Sequence, residues 1–166
     1  MGLDALEPFA KAALETGAGI FVLVKTSNPG SEDFQDRSLG GKPLYEWVAE
    51  SLAGIADRMR GPETGWSSLG AVVGATYPEV HQRLRELLPH ALFLVPGYGA
   101  QGGGARDAVA GFVAGPGGRL EGGLVNSSRG ILFPPGSDTG DLASWERAVD
   151  EALDRAIGEL GEAVSA

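Results

Sequence analysis

The sequence predicts an α/β domain built around a parallel β-sheet, and two patterns support this prediction. Four short apolar runs indicate strands, and the segments between and after them repeat apolar residues at helical spacing. The runs are continuous rather than alternating, which is typical of parallel strands covered on both faces. A strand, a loop and a helix recur four times, which indicates βα units. With 166 residues, enough for one hydrophobic core, the pattern alone favours a small flavodoxin-like domain.

The predicted elements follow one another along the whole chain. The first is a helix with no strand before it, so the chain begins inside a βα unit. Pro78 suits the first turn of the third helix, and Pro89 ends that helix. The predicted strands cover residues 19–25, 69–75, 91–95 and 123–126, and the predicted helices cover residues 3–14, 43–59, 78–88, 105–113 and 142–164.

The composition argues against several classes of protein. Lys and Arg number 13 against 22 Asp and Glu, a net charge of −9, so we expect binding to neither nucleic acid nor a membrane surface. The absence of cysteine excludes disulfides and thiolate metal sites and favours a cytoplasmic location. No apolar run approaches the roughly 20 residues that a membrane-spanning helix needs. The amino terminus also lacks the basic flank of a signal peptide.

Glycine is unusually frequent and lies where binding loops are expected. The 27 glycines make up about one residue in six, against a usual ~7%, and they collect at the ends of the apolar runs. Functional sites of parallel α/β folds form at the carboxyl ends of strands. The segments that follow the four runs are residues 25–30, 76–78, 96–104 and 127–130.

The last two of these segments predict a phosphate site. The glycine run at 102–104 leads into a helix, so its backbone amides can approach an anion. Arg129 follows the next strand, and its guanidinium can hold two phosphate oxygens at once. The glycine run by itself is equally typical of a flexible turn, whereas its combination with Arg129 favours phosphate binding. The loops after the last two strands of (β/α)8 barrels often bind phosphate.

Lys25 and the acids after it allow two interpretations each. Lys25 is the only lysine at a strand end, where a lysine can be a catalytic acid or form a Schiff base. The favoured interpretation is a structural cation paired with an acid such as Asp33. Glu32, Asp33 and Asp36 fit either a mobile lid or a solvated turn.

The histidines and serines predict neither a metal site nor a hydrolase. His81 and His90 are predicted to be surface residues and do not form a metal pair. Ser27, Ser127 and Ser128 lack a G-x-S-x-G elbow and a nearby histidine. A Ser-His-Asp triad is therefore disfavoured.

Four segments at the strand ends resemble one known family. They are Phe-Val-Leu-Val-Lys-Thr-Ser-Asn-Pro-Gly at 21–30, Gly-Ala-Val-Val-Gly-Ala-Thr at 70–76, Leu-Val-Pro-Gly-Tyr-Gly-Ala-Gln-Gly-Gly at 94–103 and Val-Asn-Ser-Ser-Arg-Gly-Ile at 125–131. In this order they resemble orotidine 5′-phosphate decarboxylase of the longer bacterial type. The resemblance implies that the four runs are strands five to eight of a (β/α)8 TIM barrel. It also implies a homodimer in the complete enzyme, no metal or organic cofactor, and conversion of orotidine 5′-monophosphate to uridine 5′-monophosphate and carbon dioxide.

The resemblance also implies a role for five residues. Ser27 hydrogen-bonds the amide edge of the pyrimidine ring, and Gln101 is the side chain of the loop that grips the phosphate. Gly102 and Gly103 offer backbone amides, and Arg129 binds the phosphate. The implied partner is therefore a small-molecule nucleotide.

The sequence departs from the family at the catalytic segment. The family's catalytic lysine lies in an Asp-x-Lys-x-x-x-Asp segment after the third strand, and none of Lys11, Lys25 and Lys42 has that acidic context. The opening nine residues resemble the family segment after the fourth strand. We therefore expect residues 1–166 to form one partial barrel domain whose amino-terminal half is missing, with no catalytic residue and no appreciable activity alone. A non-catalytic phosphate-binding half barrel and a barrel enzyme with a different reaction are the alternatives.

Overall fold

The structure is a computed structural model that describes residues 2–138 and 140–165, so Met1 and Ala166 at the ends of the predicted domain lie outside the described residues. The strands of the central sheet alternate with helices along the chain, as the apolar pattern predicts, and two short hairpins lie between them. In chain order the elements are α1 (Leu3–Thr16), β1 (Ile20–Lys25), a 3₁₀ helix (Pro29–Asp33), β2 (Ser38–Leu39), β3 (Lys42–Pro43), α2 (Leu44–Arg58), β4 (Ser67–Val73), α3 (Pro78–Leu87), β5 (Ala91–Val95), α4 (Ala105–Ala108), β6 (Val113–Ala114), β7 (Leu120–Glu121), β8 (Gly123–Val125), α5 (Arg129–Leu132) and α6 (Leu142–Ala163).

The central sheet has four parallel strands in the order β1-β4-β5-β8. All four predicted strands are present, with ends that differ by at most two residues from the predicted ranges. The order of these four strands across the sheet is the same as their order along the chain, with no reversal. A flavodoxin-like sheet requires such a reversal, whereas a barrel winds in one direction. The flavodoxin-like interpretation is therefore wrong, and the winding is that of a barrel.

The predicted helices are confirmed with one adjustment. Four of them match α1, α2, α3 and α6 within two residues at each end. The candidate at 105–113 ends at Ala108, because the chain turns there and continues into the β6–β7 hairpin. That hairpin, the β2–β3 hairpin and the short helix α5 are not predicted from the sequence. Their two-residue strands and four-residue helix are too short to show a period.

One face of the sheet is packed against helices. Helix α2 lies against β1, β4 and α3, and α1 lies against β1 and α2. This contact buries alternate strand residues on the helical side together with helix residues such as Leu52 and Leu84. The buried strand positions of this core are Val24, Leu69, Ala71, Val73, Ala91, Phe93 and Val95.

The opposite face of the sheet carries no helix within the described residues. Leu23, Val72, Leu94 and Leu124 stand in register across the four strands. Leu23 and Leu124, on the two edge strands, are 65% and 53% exposed, whereas Val72 between them is buried and Leu94 is partly buried. A parallel sheet is normally covered on both faces, so this row corresponds to the inner face of an incomplete barrel.

A buried arginine closes the amino-terminal end of the sheet. The guanidinium of Arg85 lies 3.9 Å from the centre of the Phe93 ring, and burial lowers its pKa to about 10. The Arg85 guanidinium forms no ion pair among the described residues, and its N–H groups donate hydrogen bonds to main-chain oxygens instead. The acceptors within 3.0 Å are the carbonyls of Leu88, Ala91, Gly111 and Gly122.

The structure corrects the prediction that His81 is a surface residue. Its side chain is fully buried beneath the sheet, and Nε2 donates to the Gly74 carbonyl at 2.9 Å. His81 lies on the inward stripe of α3 with Val80 and Leu84, because residues three and four apart share a helix face. His90, in contrast, is partly exposed beside the turn before β5. No helix in the described ranges is long and apolar enough to cross a membrane.

Candidate functional site

The carboxyl ends of the four parallel strands meet around one open cavity. Its volume is about 550 Å³, and three of the predicted site residues line it: Ser27 after β1, Gln101 after β5 and Arg129 after β8. The parallel direction of the strands explains why residues up to about 100 positions apart in the chain come together here. The remaining lining residues are Asn28, Pro29, Glu32, Thr76 and Tyr77.

Arg129 places an uncompensated positive charge at this cavity. Its side chain is exposed, and no residue of the described ranges forms an ion pair or side-chain hydrogen bond with it. Arg129 and Gln101 also line a smaller pocket of about 90 Å³ next to the main cavity. A free guanidinium beside a polar amide suits two oxygens of a phosphate group.

Ser27 lies at the inner end of the same cavity. The residue is buried, yet its hydroxyl has no hydrogen-bond partner within the part of the chain that the structure describes. Two glycines make this position possible, since a Cβ on Gly74 or Gly97 would come within 2.8 Å of Ser27. Gly97 also has a φ of 97°, which favours glycine. The Ser27 hydroxyl is therefore held in place and open to a ligand.

The glycine loop after β5 is closed by its own hydrogen bonds. The Gly102 amide donates to the Gly99 carbonyl at 2.8 Å, and the Gly103 amide donates to the Gly97 carbonyl at 3.1 Å. These two amides are thus engaged inside the loop, and the assignment of Gly102 and Gly103 to the substrate stays a prediction. The main-chain amide of Gln101, in contrast, donates to no carbonyl group among the described residues.

Lys25 is a structural cation, which agrees with the favoured interpretation, but its partner differs from the expected Asp33. Its Nζ lies 2.7 Å and 2.9 Å from the carboxylate oxygens of Asp36 and 3.1 Å from Ser31 Oγ. Asp33 instead accepts, through its main-chain oxygen, a hydrogen bond from Arg37. Sequence spacing alone cannot distinguish the two acids, because the 3₁₀ helix ends at Asp33 and a further turn carries the chain to Asp36.

None of the three lysines lines the cavity. Lys11 is exposed on α1 within 3.8 Å of Glu15, Lys25 is buried outside the cavity lining, and Lys42 pairs with Glu50. Among the described residues, Glu32 is the one acid that lines it. The described part of the site therefore offers groups that bind an anion and a polar ring, and no lysine that could donate a proton to a ligand there.

Thr76 and Tyr77 line the cavity, and neither has a role assigned from the sequence. Thr76 donates from Oγ1 to the Ser27 carbonyl at 3.1 Å, and the Tyr77 hydroxyl accepts from Ser31 at 3.2 Å. Both belong to the strand-end segment 76–78, so the strand-end rule predicts their position but not their role. Their contacts depend on how neighbouring loops pack, which sequence spacing does not show.

Comparison with known proteins identifies the family. The family model described as orotidine 5′-phosphate decarboxylase / HUMPS family matches residues 1–135. An orotidine 5′-phosphate decarboxylase of Rhodopirellula baltica is 45% identical over 156 residues, which cover 92% of this chain and 50% of the relative. One of Halorubrum lacusprofundi is 44% identical over 166 residues, which cover 98% of this chain and 56% of the relative. The chain thus spans about half the length of these curated relatives.

Solved structures of the same kind share the fold. The OMP decarboxylase of Leishmania donovani has a TM-score of 0.58 and 34% identity, and the match covers 93% of this chain and 53% of that one. The UMP synthase of Leishmania donovani has a TM-score of 0.62 and 37% identity, with 93% of this chain and 31% of that chain covered. The predicted α/β fold, a carboxyl-terminal half of a (β/α)8 barrel, is confirmed. The family model and the relatives together show that the chain belongs to the orotidine 5′-phosphate decarboxylase / HUMPS family.

Proposed function

We propose that the 550 Å³ cavity binds a pyrimidine nucleoside 5′-monophosphate, as part of an orotidine 5′-phosphate decarboxylase. The observation that carries the proposal is the guanidinium of Arg129, unpaired within the described part of the chain, in one cavity with Gln101 and the open hydroxyl of Ser27. Arg129 and Gln101 hold the phosphate, and Ser27 hydrogen-bonds the amide edge of the ring. Gly102 and Gly103 shape the loop that carries Gln101.

The proposed reaction converts orotidine 5′-monophosphate to uridine 5′-monophosphate. The bond between the ring and its carboxylate breaks, carbon dioxide leaves, and a proton replaces it on the ring carbon. Binding energy from the phosphate can close the site around the reacting ring, which makes Arg129 important even though it lies away from the breaking bond. The family resemblance further implies a homodimer, a cytoplasmic location and no cofactor, which stay predictions.

We propose that this chain alone does not catalyse the reaction. Protonation of the ring requires a donor, and Lys11, Lys25 and Lys42 all lie outside the cavity lining. The bare inner face of the sheet and its two open edges, β1 and β8, further indicate that residues 1–166 act as one partial barrel domain. Four additional βα units would complete the barrel and supply the acidic segment with the catalytic lysine.

Calorimetric titration with uridine 5′-monophosphate tests the binding proposal. Replacing Arg129 by Ala should weaken binding about 10- to 100-fold, because a charge-assisted hydrogen bond to phosphate contributes about 1.5–3 kcal/mol. Arg106→Ala is the matched control, since Arg106 is another exposed arginine that forms no ion pair within residues 2–138 and 140–165 and does not line this cavity. Equal affinities of the Arg129→Ala and wild-type chains would refute the assignment.

A non-catalytic phosphate-binding module is the second candidate, and the absence of lysine from the cavity lining favours it. Such a module would bind ribose 5-phosphate as tightly as uridine 5′-monophosphate. Ser27→Ala distinguishes the decarboxylase from this module. It also distinguishes the decarboxylase from a barrel enzyme whose substrate has no pyrimidine ring. If Ser27 contacts a pyrimidine, the variant weakens binding of uridine 5′-monophosphate and leaves that of ribose 5-phosphate unchanged.

A further inference from the structure

We propose that Lys25 is a positioning residue, which fixes the segment 28–36 as the ring-side wall of the cavity. This segment contributes Asn28, Pro29 and Glu32 to the lining. The inference rests on the proposed function for its ligand, while the contacts that support it are independent of that function. It gives Lys25 a task that requires no contact between its ammonium group and the substrate.

The ammonium group of Lys25 joins the end of β1 to both halves of the segment. It lies within hydrogen-bond distance of three oxygen atoms, two on Asp36 and one on Ser31, which matches the three N–H donors of an ammonium group. The Nζ atom also lies 4.0 Å from the centre of the Tyr77 ring, whose residue lines the cavity. The Lys25 side chain is only 1% exposed, so these contacts must replace the water that the charge loses.

The strand itself directs Lys25 toward the segment. The register between β1 and β4 is irregular between Leu23 and Lys25. A bulge of this kind turns a side chain away from the face that strict alternation would give it. Lys25 is therefore buried between the segment and Tyr77, although Leu23, two residues earlier, lies on the exposed face of the sheet.

A second contact supports the same arrangement. The Gln35 side chain accepts from the Thr26 amide at 2.9 Å and donates to Thr26 Oγ1 at 2.9 Å. Thr26 and Lys25 thus hold the segment at adjacent positions, immediately before Ser27. Loss of the Lys25 charge would loosen the wall at Ser31 and Asp36, while the Gln35 contact keeps the segment attached.

The test compares Lys25→Met with Lys42→Met. Lys42 offers a matched control, because it also pairs with an acid, Glu50, and lies 3.5 Å from the centre of an aromatic ring, that of Trp47. None of these three residues lines the cavity. Both variants are followed by amide hydrogen exchange and by titration with uridine 5′-monophosphate and ribose 5-phosphate.

In the Lys25→Met chain we expect the amides of residues 31–37 to exchange at least ~10-fold faster, while those of residues 97–103 keep their rates. Affinity for uridine 5′-monophosphate should fall about tenfold, and affinity for ribose 5-phosphate should stay within about twofold, because Arg129 is untouched. The Lys42→Met chain should change neither quantity. Faster exchange everywhere, with weaker binding of both ligands, would show a general loss of stability and would overturn the positioning role.

Asp36→Asn provides a milder second variant, since Asp36 is partly exposed and the substitution keeps its shape. It should show the same pattern. The double variant should bind uridine 5′-monophosphate no more weakly than Lys25→Met alone, because both substitutions break the same ion pair. Unchanged exchange at residues 31–37 in Lys25→Met overturns the positioning proposal whatever the ligand data show. If the wild-type chain binds no uridine 5′-monophosphate, the proposed function fails, and the exchange rates still decide the role of Lys25.

Discussion

The buried imidazole of His81 makes the stability of this chain depend on pH. Burial lowers the pKa of His81 below its usual value near 6.5, and its Nδ1 has no partner among the described residues. When the pH falls below about 6.5, the unfolded chain takes up a proton that the folded chain still excludes. The free energy of unfolding should therefore decrease in this range, by up to about 1.4 kcal/mol per pH unit, until the folded pKa is reached.

Urea unfolding between pH 7.5 and pH 5 measures this effect, and His81→Gln is the control. Glutamine can still donate to the Gly74 carbonyl but does not titrate. The free energy of unfolding of the wild-type chain should fall relative to that of His81→Gln as the pH decreases through 6.5. A difference that stays constant with pH would show that His81 does not contribute.

At single residues, the sequence predicts the type of chemistry better than it predicts the partners. Arg129 and Ser27 are found because strand ends are functional positions in any parallel sheet. The burial of His81 and the choice of Asp36 by Lys25 depend on how α3 and the 3₁₀ helix pack. The internal bonds of Gly102 likewise follow from loop closure, which residue types alone do not reveal.

Among the elements, the end of α3 is held to the sheet by Arg85 rather than by apolar contact alone. Its planar guanidinium lies within 3.0 Å of four carbonyl groups that belong to different parts of the chain. Arg85→Lys should reduce the free energy of unfolding by about 2 kcal/mol or more, since an ammonium group cannot span these acceptors and buried carbonyls lose their partners.

Arg83→Lys is the matched control for this prediction, measured by the same denaturant titration. Arg83 lies two residues away on the exposed side of α3 and pairs with Glu46 and Glu86, which a lysine can also reach. We expect its unfolding midpoint to stay close to that of the wild-type chain. Equal losses in the two variants would contradict the role given to Arg85.

The long elements can be predicted from the sequence because their apolar periods extend over many residues. The strand at 91–95 matches β5 at both ends, and the last helix differs from α6 by one residue. The two hairpins and α5 escape prediction, since two to four residues carry no period and their pairing depends on tertiary contacts. Arg85 escapes for the same reason, as only the fold brings its four acceptors together.

At the scale of the whole molecule, the bare face of the sheet and the lysine-free cavity lead to the same expectation. A barrel closed by four further βα units would cover Leu23 and Leu124 and complete the site. The isolated chain should give no absorbance change with orotidine 5′-monophosphate. The amino-terminal half of the Rhodopirellula baltica relative, added in trans, should restore it. Turnover by the 166-residue chain alone would contradict the proposal that it is inactive.

The order of the strands also shows where sequence reasoning needs motifs. Apolar periods predict a parallel α/β sheet but fit a flavodoxin-like domain as well as a barrel. The four strand-end segments remove this ambiguity, because together they specify one family and hence the winding of the sheet. The length of the chain then agrees with four strands of eight.

The central claim is that the cavity between Ser27, Gln101 and Arg129 recognises a nucleotide by its phosphate. Calorimetric titration of the 166-residue chain with uridine 5′-monophosphate, and in parallel with uridine, tests it most directly. The account predicts saturable binding of uridine 5′-monophosphate and at least ~10-fold weaker binding of uridine, because only the phosphate can pair with Arg129. Equal affinity for the two compounds, or no binding of uridine 5′-monophosphate, would contradict it.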